Sequence, residues 1–181
     1  MTAWQGLFDH GGLRAGQTVL IHGGAGGVGH LAIQFAKAKG AIVFTTVGTD
    51  DRDFARLLGA DMVIDYRKDR FEDRVSNVDL VFDLVGGETQ DRSFAVIKDG
   101  GCLVSTLGVA HPETGHDRNI RIPNRWMAEP NAVQLAEIAK LIDAGKVKVE
   151  VAETFPLEQV RQAYDRLEQG HIRGKIVLTL D

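Results

Sequence analysis

The sequence predicts a doubly wound α/β fold in which about six parallel strands alternate with helices. Short apolar runs, of which residues 18–22 (TVLIH) are the first, are separated by stretches with the apolar spacing of helices. Glycines mark the turns between them, and glycine makes up 21 of 181 residues against four prolines. Short apolar runs are typical of strands buried on both faces, and alternating strands and helices require right-handed crossovers. The combination predicts a parallel sheet covered by helices on both sides.

The predicted elements follow one another with short connections. After the first strand, residues 29–39 have the apolar spacing of a helix, and Gly40 is a typical C-terminal stop. A β-branched run over 41–47 predicts the second strand. Pro123 restricts the sixth strand to an edge or a bulge, because proline cannot donate to a ladder. The remaining strands are predicted at 62–65, 78–84, 102–107 and 120–127, and the helices between them at 50–58 and 88–97.

A C-terminal part follows outside the regular alternation. Residues 131–144 predict an amphipathic helix, and strands at 147–151 and 175–180 lie on either side of a helix near 157–169. The residues expected on the buried face of the first of these helices are Val133, Leu135, Ile138, Leu141 and Ile142.

Composition excludes several classes of protein. Lysine and arginine number 21 against 25 aspartates and glutamates, a net charge of −4 without a basic block, so we expect no nucleic-acid partner. The chain contains no apolar run long enough to cross a bilayer and no signal-peptide pattern, so we expect a cytoplasmic protein without a membrane partner. The single cysteine, Cys102, excludes an internal disulfide and a cysteine-built zinc site, and its apolar neighbours predict a packed side chain.

The most informative motif is the glycine-rich segment from Gly23 to Gly29, directly after the first predicted strand. Gly24, Gly26 and Gly29 have the G-x-G-x-x-G spacing between a strand and a helix, which is the context of a dinucleotide-binding loop. The first is expected to allow the turn, the second to let the backbone approach a pyrophosphate, and the third to let the helix pack on the strand. The amides and the dipole of a helix N-terminus then favour the anionic group. A mononucleotide phosphate loop is disfavoured, because no Gly-Lys-Ser/Thr follows.

The end of the second predicted strand bears on the choice of dinucleotide. Enzymes that use NAD commonly have a carboxylate there for the ribose hydroxyls, whereas here Asp50 and Asp51 come a few residues late. Both can interact with the dipole of the next helix instead. Arg52 follows, and its guanidinium can fork onto a 2′-phosphate, although the two aspartates would repel that group unless they point away. We therefore favour NADPH as the cofactor, with NADH as the less favoured alternative. The possibility that Arg52 is a solvated helix residue without a ligand also stays open.

Five segments carry a family resemblance: VLIHGGAGGVGHLAIQFAKAKGA, LLGADMVIDY, DLVFDLVGG, GGCLVSTLG and GKIVL. In this order they resemble the medium-chain dehydrogenase/reductase superfamily over essentially the whole chain. The doubled glycines of the loop, with His22 before them, are most similar to its zinc-independent, quinone oxidoreductase-like branch. The resemblance implies hydride transfer from NADPH to a quinone, an enone or a similar small carbonyl compound.

The resemblance implies roles for individual residues. It puts Arg52 and Tyr66 at the 2′-phosphate, Thr2 near the nicotinamide and Lys175 at the pyrophosphate. Each of these three roles has an alternative without a ligand. Tyr66 can be an aromatic residue at the sheet edge, Lys175 a surface lysine, and Thr2 part of a disordered chain end. The cofactor-binding residues that the motif and the resemblance imply together are Gly24, Ala25, Gly26, Gly27, Val28, Gly29, Gly48, Thr49, Arg52, Tyr66, Val85, Leu107, Gly108, Thr2 and Lys175.

The resemblance also implies that part of the enzyme is missing. Members of the superfamily carry a catalytic domain ahead of the cofactor domain, and their last helix and strand return to it. We expect a cofactor-binding domain over residues 1–150 and a return segment over 151–181. Without the other walls of the cleft, the chain is expected to bind NADPH but to catalyse little. Zinc ligands, where members have them, would precede residue 1, and two copies are expected to pair through the run from Ile120 to Met127.

The remaining reactive residues do not form a catalytic set. His111 and His116 lack a third metal ligand at suitable spacing, and Ser105 lacks the elbow glycines of a hydrolase nucleophile. We therefore predict no metal site and no catalytic residue within the chain. Three alternatives stay open: a fragment of an NAD(H)-dependent zinc-type alcohol dehydrogenase, a stand-alone dinucleotide-binding module, and a methyltransferase with a similar glycine loop.

Overall fold

The computed structural model describes residues 1–180, and its central feature is a five-stranded parallel sheet. The strand order is β3-β2-β1-β4-β5, so the chain winds outward from β1 to one edge and then to the other. All neighbouring pairs are parallel, which confirms the doubly wound fold. The strands are β1 (Thr18–His22), β2 (Ile42–Val47), β3 (Met62–Asp65), β4 (Val78–Asp83) and β5 (Ile97–Ser105).

Two apolar clusters lie on opposite faces of this sheet. The helices are α1 (Thr2–Gln5, continued by a π-helical turn Gly6–His10), α2 (Gly29–Ala38), α3 (Arg52–Leu57), α4 (Gly87–Ser93), α5 (Ala132–Asp143) and α6 (Val160–Glu168). Val19 and Ile21 of β1 belong to one cluster together with Phe35 of α2, whereas Leu20 belongs to the other. Each such buried side chain contributes ~1.5–3 kcal/mol relative to an exposed one. Among residues 1–180, no helix is long and apolar enough to span a membrane.

The prediction of a sixth strand over 120–127 is wrong. Only Arg121 pairs with the sheet, in a single parallel bridge to Cys102 of β5. The Arg121 guanidinium donates to the carbonyls of His10 and Gly11 at 2.6 and 2.7 Å. Pro123 has no amide that could extend the pairing. The run therefore lies along β5 without forming a strand, and the sheet has five strands instead of about six.

Several predicted boundaries also move. The expected helix at 88–97 is α4 followed by a 3-10 turn, Phe94–Val96, and β5 then begins at Ile97, before the glycine pair. The expected helix at 50–58 starts with a 3-10 turn, Thr49–Asp51. The helical segment at the start of the chain, α1, was not predicted, and Thr2 lies within it.

Helix α5 forms where its periodicity predicts, but much of its apolar face is exposed. Ile138 is buried in the first cluster, and Leu141 packs against it. Val133, Leu135 and Ile142 were expected to face inward, yet they are 76%, 57% and 39% exposed. Periodicity identifies an apolar stripe but does not say what covers it, and within residues 1–180 only part of this stripe is covered.

The C-terminal part forms a separate two-stranded parallel sheet of β6 (Val151–Pro156) and β7 (Lys175–Thr179), joined by α6. The strand expected at 147–151 therefore begins where that prediction ended. Most residues of both strands are exposed or partly exposed. Parallel strands are normally covered on both faces, so this pair is an unusually open arrangement. The expected division at residue 150 falls directly before β6 and stays a prediction.

Candidate functional site

The glycine-rich loop lies at the carboxyl end of β1 and leads directly into α2. The amides of Gly23 and Gly24 both donate to the carbonyl of Thr46, at 3.2 and 3.1 Å, which holds the loop against β2. Gly23 has a φ of +75°, a conformation that favours glycine. The turn out of the strand is thus made at Gly23, one residue before the glycine of the motif to which we assigned it.

The three motif glycines are required for different reasons. A Cβ on Gly24 would lie 2.0 Å from the Thr45 hydroxyl oxygen, and one on Gly29 would lie 2.2 Å from the carbonyl of Gly23. These two positions therefore permit the close packing of the loop on β2 and of α2 on the loop. A Cβ on Gly26 would meet only the Gly23 carbonyl, at 3.5 Å. Gly26 is unhindered from within the protein, so its missing side chain leaves space in front of the loop.

This space is an anion-binding environment. Within residues 1–180, no backbone or side-chain group accepts a hydrogen bond from the amides of Gly27 and Val28. Both precede the ten-residue helix α2, whose N-terminal dipole adds partial positive charge. The Lys175 ammonium lies beside Gly27, because a Cβ built there would be 2.9 Å from its Nζ. An open cavity of about 400 Å³ faces the loop.

The far end of this cavity lies at the carboxyl ends of β2 and β3. A Cβ on Gly48 would be 3.5 Å from the Tyr66 hydroxyl and 3.7 Å from the guanidinium carbon of Arg67. Tyr66 is 53% exposed, so its hydroxyl is available to a ligand. Arg67 was missed in the sequence analysis, although its position next to Tyr66 was a usable signal. A phenol and a guanidinium at one glycine give this pocket hydrogen-bond donors for an anionic group.

Arg52 and Thr49 lie behind this pocket, close to Asp65. Burial by itself raises the pKa of the Asp65 carboxyl. The net shift of this pKa is nevertheless downward, because Asp65 accepts hydrogen bonds from the Thr49 side chain and the Arg67 amide and lies near the positive charges of Lys68 and Arg52. The Nε of Arg52 is buried without a hydrogen-bond partner among the described residues. Neither residue lines the glycine-loop cavity, whereas Arg67 lines an adjoining cavity of about 420 Å³ that shares Gly48 and Asp51 with it. The guanidinium closest to Gly48 is that of Arg67 and not that of Arg52.

The two aspartates that follow β2 are both paired with arginines. Arg173 Nε donates to Asp51 Oδ1 at 2.5 Å, and the Arg173 guanidinium also bonds the carbonyl of Asp50. The Asp50 carboxylate is 3.7 Å from Arg67. Arg173 comes from the C-terminal part of the chain and was not predicted as a site residue. The negative charge that argued against a 2′-phosphate is thus partly compensated.

A second cavity of about 790 Å³ is lined by the loops that follow β4 and β5, including Val85, Leu107 and Gly108. Leu84 and Thr106, their direct neighbours in sequence, line the first cavity, so the two spaces meet here. This edge of a doubly wound sheet is where such folds bind ligands.

Asp83, at the end of β4, holds these two loops. Its Oδ1 accepts from the amides of Val85 and Gly86 at 3.0 and 2.9 Å, and its Oδ2 accepts from Gln90 at 2.7 Å and from Ser105 at 2.9 Å. Gln90 also donates to the carbonyl of Gly108. Asp83 is completely buried, and every one of these bonds positions a segment that lines a cavity. This network was not predicted from the sequence, in which a carboxylate at the end of an apolar strand was the only signal.

His22 joins three elements beneath the site. Its Nδ1 and Nε2 lie 3.0 Å from the hydroxyls of Thr46 and Ser93. The Ser93 hydroxyl donates to the carbonyl of Thr89, so it accepts from Nε2–H, and the Thr46 hydroxyl donates to Nδ1. Burial lowers the pKa of His22 to about 4, against the opposing charge of Asp83. The imidazole is therefore neutral and structural, and it does not act as an acid or base near pH 7.

The predicted cofactor residues thus fall into four groups. Thr2, Thr49 and Arg52 lie outside the lining of both cavities. Gly24 supports the loop from beneath. The predicted residues that line the first cavity are Ala25, Gly26, Gly27, Val28, Gly29, Gly48, Tyr66 and Lys175, and those of the second are Val85, Leu107 and Gly108.

Other reactive residues are dispersed. Among residues 1–180, no group of three or more histidine, cysteine, aspartate or glutamate side chains is arranged to hold a metal ion. His111 lies 3.4 Å from Glu113 at the surface. Burial raises the pKa of the Cys102 thiol to about 11, so this side chain is an unreactive part of the core.

A glycine loop between a buried strand and a helix N-terminus, with a basic pocket at the end of the second strand, defines a dinucleotide-binding domain. Residues 58–178 match the family described as zinc-binding dehydrogenase. The chain belongs to this family, within the medium-chain dehydrogenase/reductase superfamily.

Relatives and solved structures agree with this assignment. The chain is 35% identical over 209 residues to the mitochondrial NAD(P)H oxidoreductase RTN4IP1 of Danio rerio, covering 99% of this chain and 54% of that protein. It is 38% identical over 168 residues to the chloroplastic NADPH-dependent alkenal/one oxidoreductase of Arabidopsis thaliana, covering 91% and 41%. The quinone oxidoreductase of Coxiella burnetii superimposes with a TM-score of 0.92 at 36% identity, over 99% of this chain and 57% of that one. The chain spans about half the length of the curated relatives that it matches.

Proposed function

We propose that the chain is the NADPH-binding part of an oxidoreductase that reduces a quinone, an enone or a similar small carbonyl compound. The observation that carries this proposal is the glycine loop itself. Two amides without internal acceptors, a helix N-terminus and the Lys175 ammonium converge on an open cavity. A pyrophosphate is the anionic group of a dinucleotide that fits such a cradle.

The pocket at Gly48 supports NADPH over NADH. Tyr66 and Arg67 offer a hydroxyl and a planar guanidinium to a 2′-phosphate, and Arg173 compensates the charge of Asp51. Structures of similar fold have been solved with NADPH, for example the Escherichia coli quinone oxidoreductase, which is 26% identical with a TM-score of 0.84 over 99% of this chain and 62% of that one. Arg52, whose buried Nε faces no partner, is proposed to support this pocket from behind.

The chemistry of the site divides between cofactor and protein. NADPH, when bound, supplies the hydride. The loop amides and Lys175 hold the pyrophosphate, and Asp83 and Gln90 fix the two loops at the other end of the cleft. Neutral His22 keeps the strand ends in register beneath the site. Holding the cofactor in one orientation is the contribution of this part of the protein to the rate.

We further propose that β6 and β7 belong to a catalytic domain whose remaining strands lie outside this chain. Both strands have exposed faces, and Val133 and Leu135 of α5 are exposed as well. Apolar surface of this kind is typical of a face that another part of the protein covers. The chain alone is therefore expected to bind the cofactor with little or no turnover. Absence of a zinc requirement is proposed from the resemblance to the quinone oxidoreductase-like branch.

Calorimetric titration of the chain with NADPH, NADH and S-adenosylmethionine tests the proposal. NADPH is expected to bind most tightly. Tighter binding of NADH by tenfold would favour the NAD(H)-dependent alcohol dehydrogenase alternative, and binding of S-adenosylmethionine alone would favour a methyltransferase. Binding of NADPH by a protein encoded by a gene of only 181 codons would favour a stand-alone module.

Pairing of two copies along residues 120–127 is a separate proposal. The single bridge from Arg121 to Cys102 shows that this run can lie beside β5, although Pro123 limits its pairing. Light scattering of the chain and of a Met127→Asp variant checks it: Met127 is 84% exposed, so the variant leaves the core intact, and a dimer through this run should dissociate in it. A cytoplasmic location is likewise proposed, and fractionation of the source cells tests it.

A further inference from the structure

The loop between α6 and β7, residues 169–174, lies across the glycine-loop cavity, and we call it the strap. The Gly174 amide donates to the carbonyl of Ala25 at 2.9 Å, which fastens one end of the strap to the glycine loop. His171 and Ile172 line the cavity itself. The second fastening is Arg173, which bonds the Asp51 carboxylate and the Asp50 carbonyl. The strap therefore connects the start of α3 with the phosphate-binding loop.

The position of Asp51 makes this second fastening important. Asp51 lines the same cavity as Gly48 and Tyr66, which form the pocket proposed for the 2′-phosphate. Its side chain is only 18% exposed, so water screens its charge poorly. An unpaired carboxylate at this place would repel a 2′-phosphate, which carries close to two negative charges, and would accept hydrogen bonds from ribose hydroxyls instead.

We propose that Arg173 determines the cofactor preference by neutralising Asp51 from the C-terminal part of the chain. This inference rests on the proposed function, because it assumes that the cavity binds a nicotinamide dinucleotide. With Arg173 in place, Asp51 is occupied and the pocket accepts the 2′-phosphate. Without it, Asp51 is free to repel that phosphate and to bind the ribose of NADH.

The geometry explains why an arginine serves here. The Arg173 guanidinium bonds the Asp51 carboxylate and the Asp50 carbonyl at the same time. A lysine ammonium lacks the planar arrangement of donors that directs these two bonds. The Arg173 guanidinium also lies 5.9 Å from the Phe54 ring, which restricts it further. By contrast, the pair of Arg67 and Asp50 is 3.7 Å long, and the Asp50 side chain is 83% exposed, so that pair contributes little. Arg173 is thus a positioning residue that acts through Asp51.

The chain offers a matched control for the mechanical role of the strap. Arg166 pairs with Glu153 at 2.6 Å and donates to the carbonyl of Gly170 at 3.1 Å. It therefore fastens the strap as Arg173 does, but it does not contact Asp51. An Arg166→Met variant loosens the strap and leaves the charge of Asp51 compensated.

The test measures the dissociation constants of NADPH and NADH for the chain and for four variants: Arg173→Met, Asp51→Asn, the double variant and Arg166→Met. Arg173→Met is expected to weaken NADPH binding about tenfold and to change NADH binding by less than about threefold. Asp51→Asn in the same background is expected to restore NADPH binding to within about threefold. Arg166→Met is expected to leave the ratio of the two constants unchanged. Circular dichroism checks that each variant is folded. Arg173→Gln, which keeps a hydrogen-bond donor for the Asp50 carbonyl but carries no charge, replaces Arg173→Met if that variant unfolds, and it should show the same selective loss of NADPH binding.

Equal losses for both cofactors in Arg173→Met, or a loss that Asp51→Asn does not repair, would overturn this role and reduce Arg173 to a fastener of the strap. A parent chain that binds neither cofactor would instead overturn the proposed function. The two failures are distinguishable, because the first requires measurable binding to the parent chain.

Discussion

The buried histidine beneath the glycine loop gives a quantitative prediction about pH. His22 has a pKa of about 4 in the folded protein, against an ordinary value of 6.5. Between these values the unfolded chain binds a proton that the folded chain excludes, so the free energy of unfolding rises with pH. The difference of about 2.5 pH units corresponds to about 3 kcal/mol at full extent. Between pH 8 and pH 5, His22 alone should remove about 2 kcal/mol of stability.

Urea denaturation followed by tryptophan fluorescence at pH 5 and pH 8 measures this loss. Replacing His22 with glutamine lowers stability at both pH values, since hydrogen bonds to Thr46 and Ser93 are altered, but it removes the titrating group. The stability difference between the two pH values should therefore shrink by about 2 kcal/mol in His22→Gln. His116→Gln, which replaces an exposed histidine that forms no ion pair with the described residues, is the matched control and should not reduce the difference.

Other groups do not confuse this measurement. Burial lowers the pKa of His30 as well, but that contribution is the same in the parent chain and in the variant. Asp61, Glu72 and Asp79 have lowered pKa values, and their stabilisation is lost only as the pH falls below their ordinary values of 3.8 to 4.5. If His22→Gln kept the full pH dependence of the parent chain, our reasoning about the buried neutral imidazole would be wrong.

Further predictions concern the loop, the Asp83 network and the basic pocket. Gly26→Ala should keep the melting temperature of the parent chain, because the added Cβ has room, but it should weaken NADPH binding at least tenfold. Gly29→Ala should lower the free energy of unfolding by several kcal/mol, because its Cβ would lie 2.2 Å from the Gly23 carbonyl oxygen. Thermal and urea unfolding compare the stability of the two variants. Asp83→Asn should lower the free energy of unfolding by about 2–3 kcal/mol, because the new amide nitrogen, itself a donor, would face two hydrogen-bond donors. Urea denaturation measures this loss. Arg67→Ala should weaken NADPH about tenfold and spare NADH in calorimetry, and equal losses would argue against a 2′-phosphate contact.

Much of the fold could be predicted because it depends on local pattern. Successive apolar residues such as Val19, Leu20 and Ile21 put apolar side chains on both faces of a strand, so they must lie inside a covered sheet. The glycine loop is predictable for a similar reason, since Gly23 needs a positive φ and Gly29 needs contact with backbone. The sixth strand failed because pairing with β5 depends on Arg121 and Pro123 in their tertiary setting, which an apolar run does not reveal.

The site was only partly predictable, because most of its contacts join distant parts of the chain. Tyr66 and Lys175 were proposed from a resemblance, but nothing in their own neighbourhood required them to reach the cavity. Arg173 was missed, since a charged residue in a loop has the same pattern whether it is solvated or paired, and Arg67 was missed although it directly follows Tyr66.

The sequence by itself determined the strand–loop–helix unit and the parallel sheet around it, because backbone conformation and burial of apolar side chains act over short stretches. The tertiary structure decided which charges meet at the cavity. The pairing of Asp51 with Arg173 spans 122 residues, and such a contact exists only when the C-terminal strap folds across the loop. It is an electrostatic contact over a long separation, and no local pattern encodes it.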